Sequence, residues 1–185
     1  MSDYMLSIKD KVVIVTGVGK GIGRVYCREL AKAGCKVVAA DVDDDGNAET
    51  VAEIRDAGGD AITATTDVSD EAATQEMAAK TIDAFGRIDG LVNNASLMSV
   101  LERRDWHLIP VNEWDRVQEV NMRGVFLCSK AVYPQMKEQG GGSIVNISSG
   151  RFWSGTPNRL HYSTSKAGVI GLTRSLASEI GPDNI

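Results

Sequence analysis

Five short apolar runs, separated by stretches with a helical pattern, constrain the fold of this chain more than any other feature. The runs are rich in β-branched residues and apolar on both sides, which is typical of strands covered on both faces. They span residues 11–16, 37–40, 61–66, 88–92 and 144–147. This alternation predicts parallel β-α-β units. We therefore expect an α/β fold with a doubly wound parallel sheet in the strand order 3-2-1-4-5.

Helical patterns fill most of the remaining chain, with turn residues at their ends. The predicted helices cover the stretch from the first glycine-rich turn to residue 33, then 44–57, 69–85, 113–139 with Asn112 as its cap, and 160–180. Two longer segments, 97–111 and 150–158, are predicted to be loops. A chain of 185 residues with this pattern indicates a single domain over residues 1–185.

The composition argues against several classes of protein. A net charge of −5 disfavours a nucleic-acid surface, which needs a basic patch. No apolar run approaches the length of a membrane span, and the N-terminal residues do not resemble a signal peptide. The three cysteines show no metal-ligand spacing, so no metal site is expected, and we interpret them as reduced thiols of a cytoplasmic protein.

Thr16 ends the first apolar run, and a glycine-rich turn follows it directly. Gly17, Gly21 and Gly23 stand in the pattern Thr-Gly-x-x-x-Gly-x-Gly, between a predicted strand and a predicted helix. Glycines in such a turn, with Ile22 between the last two, let the backbone approach a pyrophosphate, and the N-terminus of the helix that follows attracts its charge. The alternative is a glycine-rich turn without a ligand.

Asp41 ends the second predicted strand and is followed by Val42. A carboxylate at this position accepts hydrogen bonds from the ribose hydroxyls of NAD, and it repels the additional 2′-phosphate of NADP. Lys20, in the glycine-rich turn, acts in the opposite direction, because a cation there pairs with that phosphate. We give Asp41 the greater weight and predict NAD as the cofactor. A turn residue in an acidic run is the alternative interpretation of Asp41.

Polar residues also follow the third and fourth predicted strands, at the edge where open α/β sheets bind ligands. Asp67 and Val68 are candidates for holding an adenine. Asn94 and Ala95, which follow Asn93, are candidates for lining the floor beside the cofactor. Each group is equally compatible with an ordinary turn at the end of a strand.

Tyr162 and Lys166 are four residues apart on the last predicted helix, so they lie on one face of it, one turn apart. A cation close to a phenol favours the phenolate, which suits the phenol to proton transfer near neutral pH. Taken alone, however, such a pair is more often an ordinary feature of a helix surface.

The two histidines of the chain, His107 and His161, stand apart from the other candidates. Neither shows the spacing of a metal ligand or of a catalytic triad. We interpret both as non-catalytic and place His161 at the rim of the pocket, beside Tyr162.

Taken together, these residues resemble the short-chain dehydrogenase/reductase family, whose fold is Rossmann-like. The resemblance covers nearly the whole chain. Five signatures occur in the family's order: the glycine-rich turn, Asp67, Asn93-Asn94-Ala95, Asn121, and Ser149 with Tyr162-x-x-x-Lys166. Their combination is far more specific than any one of them.

The resemblance implies a role for each catalytic position. Tyr162 would exchange a proton with the substrate oxygen, and Lys166 would favour its phenolate and hold the nicotinamide ribose. Ser149, rather than its neighbour Ser148, would hydrogen-bond the carbonyl oxygen. Asn121, for which a solvated side chain is the alternative, would anchor a water that links Lys166 to solvent. The nicotinamide itself carries the hydride.

The chain departs from the family pattern in three places. Ser96 stands where the family usually has glycine, the segment 97–111 is longer than usual, and the family usually continues beyond the position of Ile185 with further strands and a substrate-covering helix. The fifth apolar run would otherwise form an apolar sheet edge, which natural proteins tend to cover. We therefore expect the native polypeptide to continue past Ile185.

Phe152 and Trp153 lie between Ser149 and Tyr162, where side chains are expected to face the substrate. They are candidates for an aromatic wall that receives an aromatic or cyclic substrate. The alternative is that they pack against the adjacent helix or against a partner subunit.

We therefore predict an NAD-dependent oxidoreductase that interconverts a small alcohol with its ketone or aldehyde. The first alternative is an NADP-dependent 3-oxoacyl-type reductase, which Lys20 favours. The second is a non-catalytic, cofactor-binding regulatory protein, which would not need Ser149 and Tyr162 as well as Lys166. The resemblance also implies a homotetramer or homodimer, often formed through the two long helices at 113–139 and 160–180.

Overall fold

One parallel sheet forms the centre of the residues that the computed structural model describes, 8–185. Its strands are β1 (Val12–Thr16), β2 (Lys36–Asp41), β3 (Asp60–Thr65), β4 (Gly90–Asn93) and β5 (Ser143–Asn146). They pair in parallel in the order β3-β2-β1-β4-β5, which confirms the predicted fold class and strand order. The chain changes direction across the sheet between β1 and β4, so a crevice opens beyond the carboxyl ends of these strands.

Helices cover both faces of this sheet. They are α1 (Ile22–Lys32), α2 (Asp44–Asp56), α3 (Glu71–Phe85), α4 (Val111–Gln118), α5 (Gly124–Glu138), α6 (Arg151–Ser154) and α7 (Leu160–Ile180). Asp43 caps α2 by accepting a hydrogen bond from the Gly46 N–H at 3.1 Å, and Asp70 caps α3 through the Ala72 N–H at 2.8 Å. No helix within residues 8–185 has the length and apolarity that a membrane crossing requires.

The core consists of two apolar layers, one on each face of the sheet. On one face, Val15 and Val37 pack with residues of α1 and α2, including Ile54. On the other face, Ile14 and Val38 pack with residues of α3 and α5. Successive strand residues point to opposite faces, so these strands must be apolar throughout. β5 has one neighbouring strand and is only half-buried.

The helix predicted at 113–139 is interrupted. α4 begins at Val111, after Pro110, so the predicted cap Asn112 lies inside the first turn. Glu119–Arg123 then form a π-helical turn before α5 begins. This turn holds Asn121 fully buried, with its side-chain oxygen accepting a 2.7 Å hydrogen bond from the Leu97 N–H. A solvated Asn121 and an unbroken helix were therefore both wrong, because this contact with a distant segment favours the π turn.

Both segments predicted as loops contain a short helical turn. Trp106–Leu108 form a 3₁₀ turn within the first, and α6 lies within the second. The guanidinium of Arg151 in α6 donates to the carbonyl oxygen of Pro157 at 2.9 Å, which closes the segment on itself. Turns this short carry no apolar periodicity, so the sequence pattern did not indicate them.

Candidate active site

A cleft of about 630 Å³ lies at the carboxyl ends of β1 to β4 and reaches the start of α7. Every residue predicted to hold a cofactor lines it: Gly17, Lys20, Gly21, Ile22, Gly23, Asp41, Val42, Asp67, Val68, Asn94, Ala95, Tyr162 and Lys166. Ser96 lines it as well, whereas Asn121 and Ser149 do not. The structure therefore brings the predicted nucleotide residues and the Tyr-Lys pair into one site.

The glycine-rich turn can be built only from glycines at two of its positions. A side chain on Gly17 would place its Cβ 2.6 Å from the Cα of Ala95, and one on Gly23 would place it 2.1 Å from the carbonyl oxygen of Gly17. Gly21 has a φ of 67° and precedes α1, whose first turn receives no hydrogen bond from a capping side chain. Uncapped N–H groups beside a close-approaching backbone fit the pyrophosphate of a dinucleotide.

Asp41 braces the glycine-rich turn from the end of β2. One carboxylate oxygen accepts a hydrogen bond from the Gly19 N–H at 2.8 Å, and the other accepts from the Asp43 N–H at 3.0 Å. Each carboxylate oxygen has room for a second donor. The carboxylate is therefore fixed in orientation and still able to accept hydrogen bonds from a ligand.

Asn94 connects the end of β4 to the glycine-rich turn through hydrogen bonds. Its side-chain nitrogen donates to the carbonyl oxygens of Thr16 and Gly17, both at 2.9 Å. The hydroxyl of Thr16 accepts in return from the N–H groups of Asn94 and Ala95, both at 3.1 Å. The side-chain amide is thus engaged within the protein, and it shapes the floor of the cleft through the backbone.

Asp67, at the far end of the cleft, is held by groups from two elements. One of its oxygens accepts from the N–H and the hydroxyl of Ser69, at 2.9 and 2.6 Å, and the other accepts from Arg116 of α4 at 3.0 Å. Burial raises the pKa of Asp67, but these hydrogen bonds outweigh it and leave the pKa below its ordinary value. The sequence did not single out Arg116, because an arginine on an exposed helix face is common.

Lys166 is almost completely buried at the other end of the cleft. Its ammonium donates to the carbonyl oxygen of Ile147 at 2.8 Å, and burial lowers its pKa to about 8. Tyr162, one helical turn earlier, is also buried and packs against Leu101 and Val117. No hydrogen bond joins the two side chains within the described residues 8–185. Both line the cleft, so both are available to a ligand in it.

The two serines after β5 differ in what they contact. The hydroxyl of Ser148 donates to the carbonyl oxygen of Lys166 at 2.7 Å and so holds α7 against β5. The hydroxyl of Ser149 accepts from the N–H of Arg151 at 3.3 Å, and its own proton remains available to donate. This difference agrees with the choice of Ser149 over Ser148 as the catalytic candidate.

Asn121 ties the segment after β4 to α7. Its side-chain nitrogen donates to the carbonyl oxygen of Leu97 at 3.2 Å and to the hydroxyl of Ser165 at 3.1 Å. With its oxygen bonded to the Leu97 N–H, the side chain is fully engaged by protein groups.

His161 is not at the rim of the pocket, as predicted, but is completely buried. Its Nε2 lies 3.3 Å from a carboxylate oxygen of Glu113, and its carbonyl oxygen accepts from Gln118 at 3.1 Å. Burial lowers the pKa of His161 more than Glu113 raises it, and the charges of Arg104 and Arg159 lower it further. His161 follows the start of α7 and faces inward, where neither ring nitrogen has a well-formed hydrogen bond among the described residues.

The aromatic pair of α6 consists of a half-buried Phe152 and an exposed Trp153. The rings of Phe152 and Trp153 have their centroids 4.4 Å apart, and Trp153 is 80% exposed. Packing of Trp153 against an adjacent helix of this chain was therefore the wrong alternative. The pair adjoins Ser149 in sequence, although it does not line the cleft itself.

Comparison with known proteins agrees with this geometry. The model of the short chain dehydrogenase family matches residues 11–185. The chain belongs to the short-chain dehydrogenase/reductase family. It is 40% identical over 173 residues to an uncharacterized oxidoreductase of Thermotoga maritima, covering 92% of this chain and 65% of that protein.

Two other relatives are informative about chemistry. The chain is 40% identical over 176 residues to the (2S)-[(R)-hydroxy(phenyl)methyl]succinyl-CoA dehydrogenase subunit BbsD of Thauera aromatica, covering 95% of this chain and 69% of that one. The structure of an NAD⁺-bound xylitol dehydrogenase superposes with a TM-score of 0.92 at 33% identity, covering 96% and 68% of the two chains. The chain thus spans about two thirds of the length of these family members.

Proposed function

We propose that this protein is an NAD-dependent oxidoreductase that interconverts a small alcohol with its ketone or aldehyde. The observation that carries the proposal is the single cleft, in which the glycine-rich turn and Asp41 stand at one end and Tyr162 and Lys166 at the other. A dinucleotide site alone would explain the first end but not the second. Membership of the short-chain dehydrogenase/reductase family supports this division of roles.

The chain's own residues supply proton transfer and orientation. In the oxidation direction, the phenolate of Tyr162 accepts the hydroxyl proton of the alcohol, and in reduction the phenol returns it. The ammonium of Lys166 favours that phenolate and binds ribose hydroxyls, and Ser149 donates a hydrogen bond to the carbonyl oxygen. Bound nicotinamide supplies the hydride acceptor or donor. The glycine-rich turn and Lys166, which line the same cleft, are the residues that would hold the two ends of the dinucleotide.

Two observations support NAD over NADP. The carboxylate of Asp41 is fixed next to Gly19, and a second carboxylate, that of Asp43, follows two residues later. Arg24, a cation near the turn, is already bound to the Gly19 carbonyl oxygen at 2.6 Å and to Glu49 at 3.0 Å. Lys20, by contrast, is exposed, and a 2′-phosphate would pair with it.

An aromatic or cyclic alcohol is the substrate class that we propose. Trp153 and Trp106 are 80% and 71% exposed in the two segments that border the catalytic end, so both offer apolar surface. The Thauera aromatica relative carries a phenyl group in its substrate's name, which supports the same class. Assembly as a homodimer or homotetramer and a cytoplasmic location remain predictions.

The second candidate is an NADP-dependent 3-oxoacyl-type reductase, and the exposed Lys20 is the observation that favours it. A non-catalytic regulatory protein is disfavoured, because Lys166 is buried in the cleft at an energetic cost that binding alone does not need. Such a buried ammonium with a lowered pKa is characteristic of functional sites.

A panel assay tests the proposal directly. The purified protein is offered linear, cyclic and aryl alcohols with NAD or NADP, and cofactor reduction is followed by absorbance. We expect reduction of NAD with cyclic or aryl alcohols, at a higher kcat/KM than with NADP. Faster reduction of NADP would establish the Lys20 alternative. Binding of NADH, with no reduction of NAD or NADP by any alcohol of the panel, would establish the non-catalytic alternative.

A further inference from the structure

Arg116 closes a ring of hydrogen bonds around the carboxylate of Asp67. One of its terminal nitrogens donates to Asp67 at 3.0 Å, and the other donates to the hydroxyl of Ser69 at 2.6 Å. The same hydroxyl donates to the second oxygen of Asp67 at 2.6 Å. Asp67 is thus held from both sides, by its own turn and by a helix distant in sequence.

The ring borders the cleft and leaves the carboxylate accessible. The side chains of Arg116 and Asp67 are 46% and 40% exposed, and both residues line the cleft. The oxygen that faces Arg116 receives one hydrogen bond and has room for another. A planar guanidinium that donates from two nitrogens fixes orientation as well as charge, which a lysine cannot do.

We propose that Arg116 is a cofactor-positioning residue, which holds the Asp67 carboxylate in the one orientation that accepts a hydrogen bond from the amino group of an adenine. The inference rests on the proposed function in that the ligand of the cleft is an adenine nucleotide. It adds a residue of α4 to a site otherwise built from strand ends. The lowered pKa of Asp67 agrees with it, because an ionised carboxylate is the acceptor that the role requires.

Arg123 provides a matched control for the charge of Arg116. It lies two turns further along the chain, and its side chain is 51% exposed. It donates to the backbone oxygen of Ser69 at 3.2 Å and lies 3.7 Å from Glu119, which Arg116 also contacts. It does not contact Asp67 and does not line the cleft among the described residues. Removing either arginine therefore changes the local charge equally, but only one change releases Asp67.

The experiment measures dissociation constants for AMP and for nicotinamide mononucleotide by calorimetry. For AMP we expect Arg116→Gln to raise the dissociation constant about two- to fivefold, the range for a partly exposed ion pair. The AMP dissociation constant of Arg116→Lys should lie between those of the parent and Arg116→Gln. That of Arg123→Gln should equal the parent's. Nicotinamide mononucleotide, which has no adenine, should bind all four proteins equally. Equal effects of Arg116→Gln and Arg123→Gln would overturn the proposal.

A double-mutant cycle shows whether Arg116 acts through Asp67. In an Asp67→Asn background, Arg116→Gln should weaken AMP binding no further. The same additional loss in both backgrounds would mean that Arg116 acts on the nucleotide directly, and the inference would be wrong. It would also be wrong if the parent bound no AMP. These readouts need no turnover, so a protein that shows this pattern but oxidises no alcohol would contradict only the proposed function.

Discussion

The nucleotide end of the cleft is held together by backbone contacts, whereas the substrate end presents exposed side chains. At the nucleotide end, Asp41 binds the N–H of Gly19, and Asn94 binds two carbonyl oxygens of the turn. At the substrate end, Trp106 and Trp153 are 71% and 80% exposed. The first end is fixed before any ligand arrives, and the second leaves apolar surface for a ligand to cover.

This difference indicates that the two ends of the cleft are encoded by different kinds of sequence pattern. The nucleotide end is built from glycines and a few strand-end polar residues, each of which belongs to a short local pattern. The substrate end draws on two segments separated by dozens of residues, which carry Trp106 and Trp153. Substitutions at each end should therefore separate loss of catalysis from loss of nucleotide binding, and loss of catalysis should be the larger effect.

Tyr162→Phe removes the proton carrier from the substrate end and keeps the shape of the side chain. We expect kcat to fall by about 10²–10⁴-fold, the usual contribution of general acid–base catalysis. The dissociation constant for NADH should stay within a factor of about two of the parent value, because the phenol is not needed at the nucleotide end. Steady-state kinetics and NADH fluorescence measure the two quantities.

Tyr133→Phe is the matched control for that variant. Tyr133 donates its phenolic proton to Asp183 at 2.7 Å, and it does not line the cleft. Its loss should leave kcat unchanged. If Tyr162→Phe retained activity within a few-fold of the parent, Tyr162 would have to be removed from the mechanism.

Gly23→Ala tests the nucleotide end. The added Cβ would lie 2.1 Å from the Gly17 carbonyl oxygen, which is backbone and yields only if the turn moves. We expect a loss of about 1–3 kcal/mol in the free energy of unfolding, as for other overpacked sites, together with weakened NADH binding. Urea unfolding and NADH titration measure these effects.

Gly171→Ala is the control, since nothing lies within 4 Å of a Cβ at that helical position. It should stabilise α7 by about 0.5–1 kcal/mol, because alanine favours helix more than glycine does. Equal stability and equal NADH binding for Gly23→Ala and the parent would show that the turn is not the constrained element described here.

The sequence predicted the sheet order, and it singled out residues that line one cleft, because both depend on local patterns. Apolar runs, glycines and strand-end polar residues are each visible within a few positions. The π turn around Asn121, the burial of His161 and the contact of Arg116 were missed. Each depends on a partner from a separate element, namely Leu97, Glu113 or Asp67. Such pairings follow from the tertiary fold and leave no periodic signal in the chain.

Asp41→Ala should weaken NAD binding about tenfold, since a hydrogen bond to a charged group contributes about 1.5–3 kcal/mol and each 1.4 kcal/mol is a factor of ten. The ratio of kcat/KM for NAD over NADP should fall with it. kcat at saturating cofactor should change little. Asp45→Ala, in the same acidic run but exposed and outside the cleft, should change neither quantity. An unchanged cofactor ratio in Asp41→Ala would assign the preference to another residue.

His161 should make stability depend on pH at the substrate end. Its pKa in the folded state is lowered, chiefly by burial, so the unfolded state binds its proton more readily. The stability that neutral His161 contributes is present above the unfolded pKa of about 6.5 and is lost as the pH falls towards the folded value. Urea unfolding between about pH 8 and 5 should show a shallower decline in His161→Gln than in the parent.

His107→Gln serves as the control, because His107 is exposed and contacts Trp106 only edge-on, at 5.7 Å between ring centroids. It should leave the parent's pH dependence intact. Parallel curves for the parent and His161→Gln would show that burial of His161 does not contribute to acid sensitivity.

The double variant Asp41→Ala/Tyr162→Phe tests most directly whether one cleft contains two separable ends. Side chains that share no contacts have effects that add within about 0.5 kcal/mol, so the two losses should multiply. We predict that kcat/KM for NAD in the double variant equals the parent value divided by the fold-losses of both single variants, within a factor of about two. A combined loss no larger than that of Tyr162→Phe alone would contradict two separable ends, because the two residues would then act as one unit.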